Sequence, residues 1–240
     1  MTTKVAEILN RAARQCSITA PSPWANATSL NAVELRDDFM LEAVEDLQRR
    51  IDWASPMGKQ VEITGDGSVS YNLPTNYFRL VDDELGIYET GTVRRTGVSV
   101  SSDGEWTHLN TIGTGGGARF YKIEGYEGAW TIAFYPTLET GETVTLSYMS
   151  NVWLKNGTTE KSEFTDEDDI CLFPRRLIET GIVYRFRKRK GLPFDDIKAE
   201  HEIILADLVN RIRGKQRISY GDRGPVKPMR YPVPDYIPSS

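Results

Sequence analysis

The sequence predicts an α+β protein with three parts: an antiparallel helical bundle built from both ends of the chain, an inserted antiparallel β domain, and an extended C-terminal arm. Three observations predict it. Apolar residues recur at helical spacing in residues 1–57 and again in 156–216, the period shortens to two across 58–155, and residues 217–240 carry five prolines and no usable period.

In the first segment Val5, Ile8, Leu9, Ala12 and Ala13 fall at i, i+3, i+4, i+7 and i+8, one face of an amphipathic helix. The loop TAPSPWANATS ends it. A second helix is expected from Asn31, which with Glu34 has the spacing of a capping pair, and Leu35, Phe39, Ala43, Leu47 and Ile51 follow at steps of four. Its other face is acidic, with Asp37, Asp38, Glu45 and Asp46.

The period of two gives strands around Val69, Tyr71 and Leu73, around Trp130, Ile132 and Phe134, and around Val144, Leu146 and Tyr148. Turn signals GDGS, EGYEG and LETGE separate the strands, and the stretch from Ser99 to Gly117 reads as an exposed loop. Beyond Asn156 the helical period returns. The acidic cluster from Asp166 to Asp169, ahead of Pro174, suits the N-terminus of a helix carrying Leu177, Ile178, Gly181, Ile182 and Tyr184, and Gly191 stops that helix. The last helix starts near Asp195, carries Ile197, His201, Ile204, Leu208 and Ile212, and ends before Gly214. The proline-rich remainder is expected to be an arm.

Composition narrows the function. The 240 residues are 39% hydrophobic, enough for a sizeable core, and the net charge of −5 argues against a dedicated nucleic-acid binder, whose footprint is usually basic. No apolar run approaches the roughly 18 residues of a membrane span, and the N-terminus lacks the apolar core of an export signal. Cys16 and Cys171 fit two buried thiols better than a disulfide framework. His201 lies on an apolar helical stripe and reads as a core histidine, while His108 reads as exposed. The GTGGG at 113–117 lacks the Lys-Ser/Thr of a phosphate loop. No catalytic constellation, metal-ligand set or cofactor motif emerges, so the expectation is a non-enzyme with no cofactor and no metal.

One local feature runs against the net charge. From Arg185 to Lys190 five of six residues are basic, with Phe186 between them. Cations at a helix C-terminus are stabilising without any ligand, by about 0.3–1 kcal/mol each. The acidic faces at 37–46 and 163–169 are candidate partners for this run, in the same molecule or in the next subunit.

The segments YNLPTNYFRL, FYPTLETGETVTLSYMSNVWL and FTDEDDICLFPRRLIETGIVYRFRKRKGLPFDDIKAEHEI resemble, in order and spacing, the head-to-tail adaptor (tail accessory) proteins of tailed bacteriophages. The resemblance runs from about Ala32 to Gly214. It implies a structural virion protein at the head-tail junction, assembled in the host cytoplasm, that forms a ring of twelve copies beneath the portal protein. It further implies a downstream tail or nozzle/stopper protein as the second partner, double-stranded DNA passing through without sequence-specific binding, and no membrane. Under it, the C-terminal arm docks on the portal through Tyr220, Met229, Arg230, Tyr231, Tyr236 and Ile237. Asp37, Asp38 and Glu45 on the acidic helix and Arg185, Arg187, Lys188 and Arg189 on the basic one are the expected subunit-interface charges. Two other readings compete: a carbohydrate- or receptor-binding tail protein presenting Trp106, Tyr126 and Trp130 on the β domain, and a nucleic-acid module using Arg185 to Lys190.

Overall fold

The computed structural model describes residues 3–53, 56–81, 86–89, 97–100, 102–112 and 119–213. The expected arm, the GTGGG segment and the docking residues Tyr220, Met229, Arg230, Tyr231, Tyr236 and Ile237 lie outside them.

Helix α1 is Val5–Gln15. Helix α2 is continuous through Leu30–Val33, Glu34–Phe39 and Met40–Arg50, and its middle segment is a π-helix. Helix α3 is Asp103–Ile112, α4 is Arg175–Arg189 and α5 is Asp195–Arg213. The strands are β1 Thr3–Lys4, β2 Gly58–Thr64, β3 Ser70–Asn72, β4 Tyr77–Leu80, β5 Ile87–Glu89 and β6 Gly97–Ser99. They continue with β7 Arg119–Glu124, β8 Thr131–Tyr135, β9 Thr143–Ser150, β10 Leu154–Asn156, β11 Thr159–Lys161 and β12 Ile170–Cys171.

The strands form three sheets in a mixed α+β fold: β1-β12-β10-β11, then β2-β9-β4 with β5 also on β9, and β3-β8-β7-β6. All pairings are antiparallel except β6 with β7, which is parallel. The side chains gather in two cores. One joins α1, α2, α4 and α5 with Trp24, Trp53, Met149 and Trp153, and the other lies between the two larger sheets around Ile132, Phe134, Leu138 and Leu146. Strand β9 belongs to both, because successive residues point to opposite faces: Leu146 and Tyr148 enter the β core while Met149 enters the helical one.

The steps-of-four stripe on α2 is buried as expected, from Leu35 to Ile51. At about 100° per residue, a strict step of four overshoots each turn by about 40°. The wider i→i+5 turn of the π segment undershoots, which brings Leu35 and Phe39 back toward the face used by Ala43 and Leu47.

Four expectations need correction. Ser29, not Asn31, occupies the position before α2, and no side chain caps it. The stretch from Ser99 to Gly117 contains the end of β6 and all of α3, because Ser102 and Asp103 open a helix whose Leu109 is buried. Val69 is exposed, one residue before β3 begins. Helix α4 starts only at Arg175 and has no acidic residue in its first turn, because residues 154–171 supply three short strands first.

Strand β1 pairs with β12, and the Asp169 carbonyl accepts the Val5 N–H at 2.9 Å, tying the start of α1 to the strand before α4. Arg79 on β4 closes the other junction. Its guanidinium donates to the Gln48 carbonyl at 2.9 Å and the Ile51 carbonyl at 3.0 Å, satisfying carbonyls that the end of α2 leaves without helical partners. Gly181 sits where α2, α4 and α5 come closest: a Cβ there would lie 3.0 Å from the Ala43 Cβ and 3.4 Å from His201 Cε1. A Gly181→Val substitution must therefore push helices apart, and the expected loss is about 2–3 kcal/mol of unfolding free energy in urea titration.

Candidate functional site

The basic end of α4 and the acidic stripe of α2 face each other within one chain. Arg189 Nη1 lies 2.7 Å from Asp38 Oδ2 and Nη2 lies 3.2 Å from Glu42 Oε1, with the guanidinium 4.5 Å above the Phe39 ring. One turn earlier, Arg185 Nη2 is 3.3 Å from Asp46 and Nε is 3.7 Å from the other Glu42 oxygen. The Arg185 guanidinium is also 4.6 Å from the Tyr184 ring centre, and Nη1 donates to the Gly181 carbonyl at 3.1 Å. Lys190 reaches Glu34 at 2.8 Å, so ascending positions on α2 meet descending positions on α4 and the two helices run antiparallel. Arg50 extends the ladder to α5, with Asp46 at 3.3 Å and Glu202 at 2.5 Å. The Arg50 hydrogen bond holds the Glu202 carboxyl below its ordinary range.

The predicted interface charges therefore divide. Asp38, Arg185 and Arg189 are engaged inside the subunit, Asp37 pairs with Arg36 at 2.6 Å, and Glu45 pairs with Arg49 at 3.0 Å. Among the described residues Arg187 makes a long contact to the Pro193 carbonyl at 3.5 Å and no ion pair. Lys188 is exposed and forms no ion pair among the described residues. Sequence reasoning placed Lys190 in the basic run and Glu42 within the acidic stretch 37–46 without naming either as an interface charge, and it missed Glu34, Arg50 and Glu202 as charge partners, although Glu34, Asp38, Glu42 and Asp46 at steps of four are the signal of one acidic ridge.

The acidic cluster at 166–169 forms a loop knot. Asp169 is fully buried and receives Lys161 Nζ at 2.7 Å on each oxygen, the Thr165 and Asp166 N–H groups at 3.0 Å, and Asn156 Nδ2 at 3.2 Å. Burial alone would raise this carboxyl, but these donors outweigh it and hold it below the usual range. Asp168 pairs with Lys4 on the surface at 2.6 Å. Among the described residues no group of His, Cys, Asp or Glu is gathered in the way a metal ion needs, and no helix is long and apolar enough to cross a membrane.

The remaining candidates are scattered. Trp130 packs on Tyr77 at 6.0 Å between ring centres and joins the β core, Tyr126 stands exposed in the β7–β8 turn, and Trp106 lies half-buried on α3. They do not share one strand face. Cys171 is buried, which pushes its thiol up to about 12, and the half-buried Cys16 rises to about 11 for the same reason despite the nearby Arg187. No thiolate nucleophile is expected near neutrality from either. His201 is fully buried, as its place on the stripe predicts, and His108 is exposed, on a helix where a loop was expected. A cleft of about 570 Å³ opens between Trp53, Val81 and the Lys59–Glu160 ion pair and has neither histidine nor cysteine in its lining.

Two cores joined by β9, the pairing of β1 with β12, and a charge ladder linking α2, α4 and α5 hold the fold together. The chain belongs to the SU10 adaptor protein family, whose model matches residues 3–228. This agrees with the resemblance to phage head-to-tail adaptors carried by the sequence segments. No curated protein matches the chain in sequence.

Two outcomes test the geometry. Arg185, with its side chain 12% exposed, should cost about 1–3 kcal/mol when changed to Ala, whereas Lys188→Ala should stay within about 0.5 kcal/mol in the same urea titrations. Asp169→Asn should cost on the order of 3 kcal/mol, because it leaves Lys161 facing a neutral group in a buried loop. Since the folded Asp169 carboxyl is depressed, its contribution is complete above the ordinary value of 3.8 and disappears as pH falls through the lower folded value. A thermal midpoint series in acid on wild type and Asp169→Asn reads this out.

Proposed function

We propose that the protein is a structural virion component, a head-to-tail adaptor that assembles as a ring of twelve copies beneath the portal and joins the capsid to the tail. The observation that carries this reading is the adaptor-family match over residues 3–228, which spans both cores and extends into the C-terminal segment. In this reading α1, α2, α4 and α5 act as a bundle built from both ends of the chain, and the β unit of 58–155 projects from it toward a downstream tail or nozzle/stopper protein. Double-stranded DNA passes through the ring without base readout. No enzymatic step or cofactor is assigned.

The charge arrangement refines how copies would meet. A closed ring repeats one heterologous contact, and the surfaces for it must remain after each subunit has satisfied its own charges. Arg187 and Lys188 remain on the basic side. Of the charges predicted for the interface, these two are the ones we assign to it, while Asp38, Arg185 and Arg189 set the shape of the helix pair that presents them. Docking on the portal is assigned to Tyr220, Met229, Arg230, Tyr231, Tyr236 and Ile237.

Electron microscopy of the purified protein with and without a portal ring tests the reading, and the expected result is a stacked double ring. Arg187→Glu with Lys188→Glu should weaken ring formation, and rising salt should narrow the difference from wild type, since exposed charges are screened beyond about 10 Å at 0.1 M. Deleting residues 218–240 should abolish portal attachment while moving the thermal midpoint little. A truncated protein that still attaches at full affinity removes the arm from the docking role. A full-length protein that never associates with a portal removes the adaptor reading.

A further inference from the structure

His201 is the one histidine among the described residues that is fully buried, and it sits at the contact of α4 and α5. Its Nδ1 lies 3.0 Å from Thr180 Oγ1. The Thr180 hydroxyl has a single proton and three acceptors within reach, the Arg176 carbonyl at 2.9 Å, the Leu177 carbonyl at 3.2 Å and Nδ1 itself, and it can accept from Nδ1–H whenever that proton goes to a carbonyl. Nδ1 is therefore satisfied in either tautomer. The Nε2 atom is buried and has no hydrogen-bond partner. The Tyr184 ring packs on the imidazole at 5.3 Å between centres, tilted by 55°, and the imidazole Cε1 comes close to the glycine that lets the helices meet.

We infer that His201 is an acid-sensitive latch: neutral, it seals α5 against α4, and with both ring nitrogens protonated it loosens α5, the helix that leads into residues 214–240. The physical reason is that the neutral ring leaves one nitrogen without a partner, a modest cost, whereas the charged ring buries a net positive charge with no acceptor at Nε2 and beside a second cation. Arg185 is that cation on α4. On α2 the facing groups are Asp46 and Arg50, and on α5 itself Glu202. Both carboxylates are already held by arginines, Asp46 by Arg185 and Arg50 and Glu202 by Arg50, so a charged imidazole has to compete with the ladder for them.

The sign follows from burial, which holds the folded imidazole below its ordinary value of 6.5, with Arg185 adding to the effect. The open or unfolded chain takes the proton more readily than the closed one. Latch strength is thus complete above about pH 6.5 and declines as pH falls from there toward the lower folded value, by up to about tenfold in the closing equilibrium per pH unit. The depressed carboxyls of Glu202 and Asp169 act only below their ordinary values of 4.5 and 3.8, outside this window.

Amide hydrogen exchange on the full-length chain between pH 7.5 and 5.2, corrected for intrinsic exchange rates, tests the latch. Protection of α5 should fall at least fivefold on acidification while the β core around Leu146 holds. In His201→Asn, whose amide can still donate to Thr180 but cannot take up charge, α5 protection should not change with pH. If the variant does not fold, ring-carbon NMR of labelled histidines in the wild-type protein decides: His201 should titrate below an exposed histidine. Unchanged α5 protection in wild type, an equal loss in His201→Asn, a loss spread evenly over both cores, or a His201 that titrates like an exposed histidine would each overturn the proposal.

Discussion

Helix α4 is buried on every side through its middle, with Leu177, Ile178, Gly181, Ile182 and Val183 all enclosed by neighbours. A helix so placed cannot leave its polar side chains to water, and each must find a partner inside. Glu179 receives the Gln15 amide from α1 and the Arg176 guanidinium from its own first turn, while Thr180 is shared between backbone carbonyls and His201 of α5. These contacts fix which face of each neighbour meets α4. The positions of α1, α2 and α5 follow from satisfying one central helix.

The same constraint explains what the basic run is for. Its residues emerge where α4 leaves the core, and the arginines that could still reach α2 bend back onto the acidic ridge. A nucleic-acid grip would need those guanidinium groups free to follow phosphates. Here Arg185 and Arg189 are held by carboxylates and stacked over aromatic rings, which makes them part of the scaffold. In this region the basic run serves, through Arg185 and Arg189, intramolecular packing.

Much of this was legible in the residues. The helical stripes of α1 and α2 and the alternating pattern of β8 and β9 correspond to buried faces, because burial imposes the period. The short elements were not legible. Strand β12 has two residues and is defined only by pairing with β1 and β10, far away in sequence, so no local pattern announces it. Helix α3 was hidden by a polar sequence in which Leu109 is the single buried side chain among the described residues, too little for a periodicity. For the charges, composition and spacing gave the two faces, but whether they meet within a subunit depends on the antiparallel approach of α2 and α4, which only the folded chain displays.

The pairing of Thr3 with Cys171 sets an order of events during synthesis. Helix α1 has its apolar face ready as soon as it is made, yet the surfaces that cover it, from Asp169 to Val183, are translated last among its contacts. At about 5–20 residues per second, roughly 10–30 s separate the two. During that interval the β unit is complete and can close its own core, while Val5, Ile8 and Leu9 have α2 and Trp24 as neighbours but still lack α4. Helix α1 thus depends for its burial on a part of the chain made about 160 residues later, and its apolar face is completed only when α4 arrives.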